Sequence, residues 1–208
     1  MENVLVVGAT GTTGHIIVNY LKTSADFEPV AMVRTNEQEE GFSNNNIRTV
    51  FGDLEKDVTK TVEGIDRVIF AAGSGGKKVE AVDQDGAIKM IQASEAANIK
   101  KFVMLSSMGA DQPEQSETLQ DYLKAKHNAD EYLKKSTLNY SIVRPGTLNN
   151  KDGQGTIELA KHLSKRGEIT RDDVAQTLIQ ALRDNAANSS TFEILQGQTP
   201  IEEAIHTL

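Results

Sequence analysis

The sequence predicts an α/β protein built on a doubly wound, mainly parallel sheet of about seven strands with helices on both faces. Two observations carry that prediction. Short apolar blocks alternate with helical patterns along the chain, and three glycines spaced three apart follow directly on the first block.

The blocks NVLVV (3–7), PVAMV (29–33), IRTVF (47–51), RVIFAA (67–72), KFVMLS (101–106), YSIVRP (140–145) and TFEIL (191–195) are nearly continuous runs of β-branched and apolar residues. Strands buried on both faces read this way. Between most of them lie helical patterns at 12–24, 79–98, 118–136 and 171–184, with a further turn or two from Pro200. Such alternation implies right-handed crossovers and parallel pairing. GFSNNN (41–46) is a turn cluster and SMGADQPEQSE (107–117) a polar loop. Residues 146–170 hold weak strand signals and several glycines, and are expected to form a small lobe within a single domain spanning 1–208.

A formal charge of −8 opposes the counterion-release attraction that drives non-specific nucleic-acid binding. With no cysteine, disulfides, thiolate metal sites and cysteine nucleophiles are excluded. The four histidines, at 15, 127, 162 and 206, show no ligand-like spacing, so no metal is expected. No run of eighteen apolar residues occurs and Met1-Glu2-Asn3 leads straight into a strand, so a cytoplasmic protein with no membrane partner is expected. Monomer and homodimer are left open.

The glycines stand in Gly8-Ala9-Thr10-Gly11-Thr12-Thr13-Gly14, between the first strand and the first helix. A helix start there offers unpaired N–H groups and the positive end of the dipole, where a pyrophosphate would sit. The first glycine permits the tight turn, the middle one lets the backbone approach phosphate, and the last lets helix pack on strand. Gly8, Thr10, Gly11, Thr12, Thr13 and Gly14 are therefore the candidate phosphate cradle, although the spacing G-x-x-G-x-x-G departs from the dinucleotide pattern G-x-G-x-x-G.

Beyond VVGATGTTG, the chain carries VRT (33–35), GDL (52–54), AAGSG (71–75), LSSMGA (105–110), YLKAKHNADEYLKKS (122–136), VRPGTL (143–148) and TRDDVAQTL (170–178). Together these resemble the short-chain dehydrogenase/reductase superfamily, specifically its small atypical NAD(P)-binding branch. That branch holds NmrA-like proteins, biliverdin reductase B-like flavin reductases and bacterial proteins labelled sugar epimerases. The resemblance spans nearly the full length and implies a Rossmann-type fold with a nicotinamide cofactor.

Arg34 follows the second strand, about twenty positions after Gly14, where an acid would bond the ribose 2′-hydroxyl of NAD and an arginine suits a 2′-phosphate. NADP is therefore expected over NAD. In the resembling family Asp53 and Leu54 would flank the adenine, and Ala71, Ala72 and Gly73 would pass under the adenosine ribose and pyrophosphate; Asp53 reads equally as a turn residue.

Tyr122 and Lys126 form Y-x-x-x-K on a helix and so share one face. The resemblance implies that Lys126 holds the nicotinamide ribose and favours the tyrosinate of Tyr122, the proton donor, while a serine at the end of the fifth strand bonds the substrate oxygen. Ser107 is the first choice for that serine and Ser106, beside the cofactor, the second. Pro145 would turn the backbone past the nicotinamide. Thr170 with Asp173 reads as a helix cap, which assigns Arg171, Asp172 and Asp173 to structure. Asp83, Asp85 and Gly86 at the start of the 79–98 helix are left out of the site, because acids there complement the helix dipole unaided. The expected function is hydride transfer from NADPH to a small carbonyl, quinone or flavin, with an NmrA-type redox sensor and a sugar epimerase-like enzyme as alternatives.

Overall fold

The computed structural model describes residues 1–208. In chain order its elements are β1 (Glu2–Val7), α1 (Thr12–Lys22), β2 (Phe27–Val33), α2 (Asn36–Ser43), β3 (Arg48–Phe51), β4 (Arg67–Phe70), α3 (Asp85–Ala96), β5 (Lys101–Leu105) and α4 (Gln120–Lys135). There follow β6 (Tyr140–Pro145), β7 (Thr147–Asn149), β8 (Thr156–Ala160), β9 (Glu168–Thr170), α5 (Arg171–Gln180), β10 (Ser190–Gln196), β11 (Thr199–Pro200) and α6 (Ile201–Ile205).

The main sheet runs β11-β8-β10-β6-β5-β4-β1-β2-β3. All the apolar blocks are strands, and β1 to β6 and β10 pair with one another in parallel. Their continuous apolar character follows from cover on both faces. In β1, Val4 and Val6 enter one core with Ile17, Val18 and Leu178 of α1 and α5. Leu5 and Val7 enter the other with Met90, Ile91 and Leu133 of α3 and α4. Side chains of a strand alternate between faces, so a strand covered twice has no polar side.

The sheet has nine strands where about seven were expected. The additional pair, β8 and β11, lie antiparallel at one edge. Their sequences, TIELA and TP, lack an apolar run because this end of the sheet is only partly covered: Ile157 is the residue of β8 that is fully buried, and the other four are half-buried. Residues 146–170 thus divide: β7 and β9 make a separate parallel pair, and β8 completes the main sheet. The pattern at 79–98 also divides, into a π-helical turn at Val79–Gln84 and then α3. Thr170 caps α5 as expected, accepting from Asp173 N at 2.9 Å and donating to its carboxylate at 2.8 Å. That carboxylate also accepts from Gln154 N and Gly155 N at 3.0 and 2.7 Å, tying the 146–170 segment to the helix. No helix is long and apolar enough to cross a membrane.

Candidate functional site

β1 pairs with β2 on one side and β4 on the other, so the order of connection reverses around it. Helices diverge at such a point and leave a crevice beyond the carboxyl ends of the strands. The glycine loop fills that position. Gly8 has φ +88°, and a Cβ there would lie 2.6 Å from Ala72 N. At Gly14 a Cβ would lie 2.0 Å from Gly8 O, so both outer glycines are dictated by backbone contact. At Gly11 the nearest atom is 3.3 Å away, and Thr10, Gly11 and Thr12 are exposed, while Thr13 is buried. The middle of the loop faces outward, as a phosphate-approach residue must.

Gly11 is the N-cap of α1; no side chain caps the helix, and its first turn has no acid. The unpaired N–H groups and positive dipole end are left for an anion. A cleft of about 500 Å³ opens beside the loop, lined among others by Thr12, Lys151 and Arg171 and by the acids Asp152 and Asp172. The free N–H groups at the start of α1 fit a pyrophosphate.

At the far end of the crevice Arg34 is exposed and forms no ion pair; its backbone N–H donates to Gln38 Oε1 at 2.8 Å. The guanidinium is free for a ligand. Asp53 accepts from Glu55 N at 3.0 Å and stands 3.9 Å from Lys56, so one of its oxygens holds a turn. Leu54 is buried against α3, where Gly86 admits it: a Cβ on Gly86 would lie 2.8 Å from Leu54 Cβ. Ala71 and Ala72 are half-buried under the loop, and Gly73 is exposed.

Lys126 is 3% exposed, on the face of α4 that meets the end of β5. Its ammonium donates to Leu105 O at 3.2 Å, stands 3.8 Å from Asp83 Oδ1, and lies 5.7 Å from the centroid of the Tyr122 ring. Tyr122 and Lys126 are thus brought together as their spacing requires. Asp83 was left out on sequence grounds, yet it is the charged partner of Lys126. It is 1% exposed, Oδ2 accepts from Ser74 N at 3.0 Å, and Oδ1 has no hydrogen-bond partner. The π-helical turn carrying it has no readable sequence signature, and such turns cluster at functional sites. A half-used ammonium beside an orphaned acceptor matches the two hydroxyls of a ribose. The residues present therefore fit a nicotinamide nucleotide.

The serines are placed differently from each other. Ser106 is buried and donates to Asp130 Oδ2 at 2.8 Å. Ser107 is half-buried and donates to Met108 O at 3.2 Å, with no hydrogen bond to Tyr122. Asp130 also receives Arg144 Nε and Nη2 at 3.0 and 2.9 Å. Burial pushes the Asp130 carboxyl up, against the opposing pull of Arg144 and Ser106. This network holds the ends of β5 and β6 to α4. Its signal was present in the sequence: Tyr122, Lys126 and Asp130 recur every four residues on one helical face. Pro145 ends β6, and its carbonyl accepts from Met108 N at 3.0 Å, which fixes the loop that carries Ser107.

A doubly wound sheet with an uncapped, glycine-lined helix start at its switch point defines a nucleotide-binding protein. The profile of the NAD(P)H-binding family matches residues 8–185, and the chain belongs to that family. This agrees with the resemblance to the atypical short-chain dehydrogenase/reductase superfamily. Among relatives, the chain is 40% identical over 213 residues to the uncharacterized sugar epimerase YhfK of Bacillus subtilis, covering 99% of each chain. Among solved structures, a candidate NAD-dependent epimerase/dehydratase of Bacillus halodurans is 40% identical, with a TM-score of 0.95 and full coverage of both chains. The oxidoreductase ylbE of Lactococcus lactis is 34% identical, with a TM-score of 0.89, and covers 100% of this chain and 96% of its own.

Proposed function

We propose that the protein is an NADPH-dependent reductase of small carbonyl, quinone or flavin acceptors. The observation that carries this reading is the buried Lys126 ammonium, set between Leu105 O, Asp83 and the Tyr122 ring at the carboxyl edge of the sheet. Bound NADPH would supply a hydride. Lys126 and Asp83 hold the ribose hydroxyls of the nicotinamide half, and Tyr122 gives its phenolic proton to the acceptor oxygen as negative charge develops there. Ser107 rotates off Met108 O to donate to the same oxygen. The α1 N-terminus binds the pyrophosphate, and Arg34 selects the 2′-phosphate. The likeness to the Lactococcus lactis oxidoreductase supports the reaction class. The same reading covers a cytoplasmic protein acting on a small molecule rather than on nucleic acid or a membrane, in keeping with the charge of −8.

The bond between Ser107 and Met108 O favours a second reading, a non-catalytic NADP sensor, because in this state the serine is turned to its own loop. An epimerase reading would use the same atoms, but the short 146–170 segment offers a nucleotide sugar little surface. Oxidation of NADPH against quinones, flavins, aldehydes and ketones, with cofactor binding measured in parallel, decides between them. A reductase turns over and loses most of that turnover in Tyr122→Phe; tight binding with no turnover on any acceptor establishes the sensor.

A further inference from the structure

Three groups that no step above uses meet beside the Asp130–Arg144 network. Asp111 comes from the 107–117 loop, His162 from the connection after β8, and Glu193 from β10. Glu193 lies in register with Arg144 of β6 and Ala160 of β8, so it shares their face of the sheet. It is 1% exposed, and no lysine or arginine pairs with it; its neighbour is His162, whose Nδ1 stands 3.5 Å from Glu193 Oε2. Asp111 Oδ2 lies 3.9 Å from the same nitrogen.

A buried carboxylate that stays ionised is paired with a cation or coordinates a metal. Arg144 is already committed to Asp130 by two hydrogen bonds and reaches Asp111 Oδ1 only at 3.8 Å. Glu193 therefore has no guanidinium or ammonium of its own, and His162 is the group beside it.

We propose that Asp111, His162 and Glu193 bind a divalent transition-metal cation. Ligands at about 2.1 Å from a tetrahedral metal stand about 3.4 Å apart, which Glu193 Oε2 at 3.5 Å from His162 Nδ1 meets and Asp111 Oδ2 at 3.9 Å approaches. All three ligand atoms lie within 4.8 Å of one another, so the Asp111–Glu193 pair closes by at most about 1.4 Å as the half-buried loop carboxylate and the exposed imidazole turn inward. Glu193 Oε2 is oriented from behind by Leu163 N at 2.6 Å, as ligands of a metal ordinarily are. One imidazole nitrogen with two carboxylate oxygens and open positions toward solvent suits Zn²⁺, Mn²⁺ or Co²⁺ over Ca²⁺ or Cu⁺. The ion ties the 107–117 loop to β10 and the 146–170 segment, and so orders the acceptor side of the crevice.

The test uses untagged full-length protein, stripped with EDTA and titrated calorimetrically with Zn²⁺ and with Co²⁺. Wild type is expected to bind one equivalent, with a visible Co²⁺ absorption band. His162→Ala and Glu193→Gln each weaken binding at least about tenfold and abolish the band. NADPH binding, measured on the same samples, is expected to persist in His162→Ala, which separates this proposal from the cofactor assignment. Should Glu193→Gln fail to fold, His162→Ala decides alone, since its side chain is 61% exposed. No binding by wild type at millimolar metal, or equal affinity in the variants that fold, overturns the proposal.

Discussion

Two lysines are buried in this protein at opposite ends of the same sheet. Lys101 opens β5 at the amino edge, fully enclosed, with Nζ donating to Asn188 Oδ1 at 2.6 Å, Ala186 O at 3.0 Å and Asn139 Oδ1 at 3.3 Å. Every donor is used, and all the acceptors are neutral. Lys126, near the carboxyl end of the same strand, has a carbonyl at 3.2 Å and a carboxylate at 3.8 Å, the latter beyond hydrogen-bond length. Burial alone does not distinguish a working group from a structural one; the count of unspent donors does. Lys101 pins the turn that holds Ala187 and Ser189 at positive φ, with help from Ser141, whose Oγ donates to Ala187 O at 2.7 Å. Lys126 keeps capacity for a ligand.

The comparison breaks if exchanging the two lysines for methionine has similar consequences. Lys126→Met is expected to lower kcat/KM for NADPH oxidation by about 10²-fold or more, because on the proposed reading it removes both ribose binding and the charge beside Tyr122. Tyr122→Phe is expected to cut kcat by a comparable 10²- to 10⁴-fold, roughly the range of general-acid contributions, with NADPH affinity within about threefold of wild type. The pair is sharpened by the glycine loop. Gly14→Ala drives a methyl into Gly8 O and is expected to cost about 1–3 kcal/mol in denaturant unfolding and to abolish NADPH binding, whereas Gly11→Ala retains stability and weakens binding alone. Arg34→Ala is expected to reduce the preference for NADPH over NADH by about tenfold, as the loss of one charge-assisted contact should. Direct titration with both nucleotides checks it.

The smallest effect is a slope. Burial lowers the Lys101 ammonium to about 8 from an ordinary 10.5, with Arg67 adding to the shift. Below both values the charged form is penalised in the folded state. Between them the unfolded chain binds more protons than the folded one, so the stability owed to this group rises with pH through that window. Urea midpoints at about pH 7.5 and 9.5 should therefore rise more in wild type than in Lys101→Met.

The parallel strands were legible because double burial leaves a continuous apolar signal, and the tight glycine turn because its geometry admits no side chain at Gly8 or Gly14. β8 and β11 were not, since β8 is half-buried at four of its five residues and β11 is two residues long, so neither carries a continuous apolar run. Asp83 escaped because an acid at a helix start has an ordinary explanation, and only the fold brings it within reach of a lysine forty-three positions later. His162 escaped for a related reason: its neighbours Asp111 and Glu193 are distant in sequence, so spacing could not reveal them. What a local pattern fixes is readable; what the crossing of loops at the sheet edge assembles is not.

The most direct measurement is NADPH titration followed by fluorescence, on wild type, Lys126→Met and Lys101→Met in one buffer near pH 7. Lys126→Met is expected to lose affinity by at least about tenfold, while Lys101→Met binds as wild type does whatever its stability. Equal affinity in all three, or a loss confined to Lys101→Met, would contradict it.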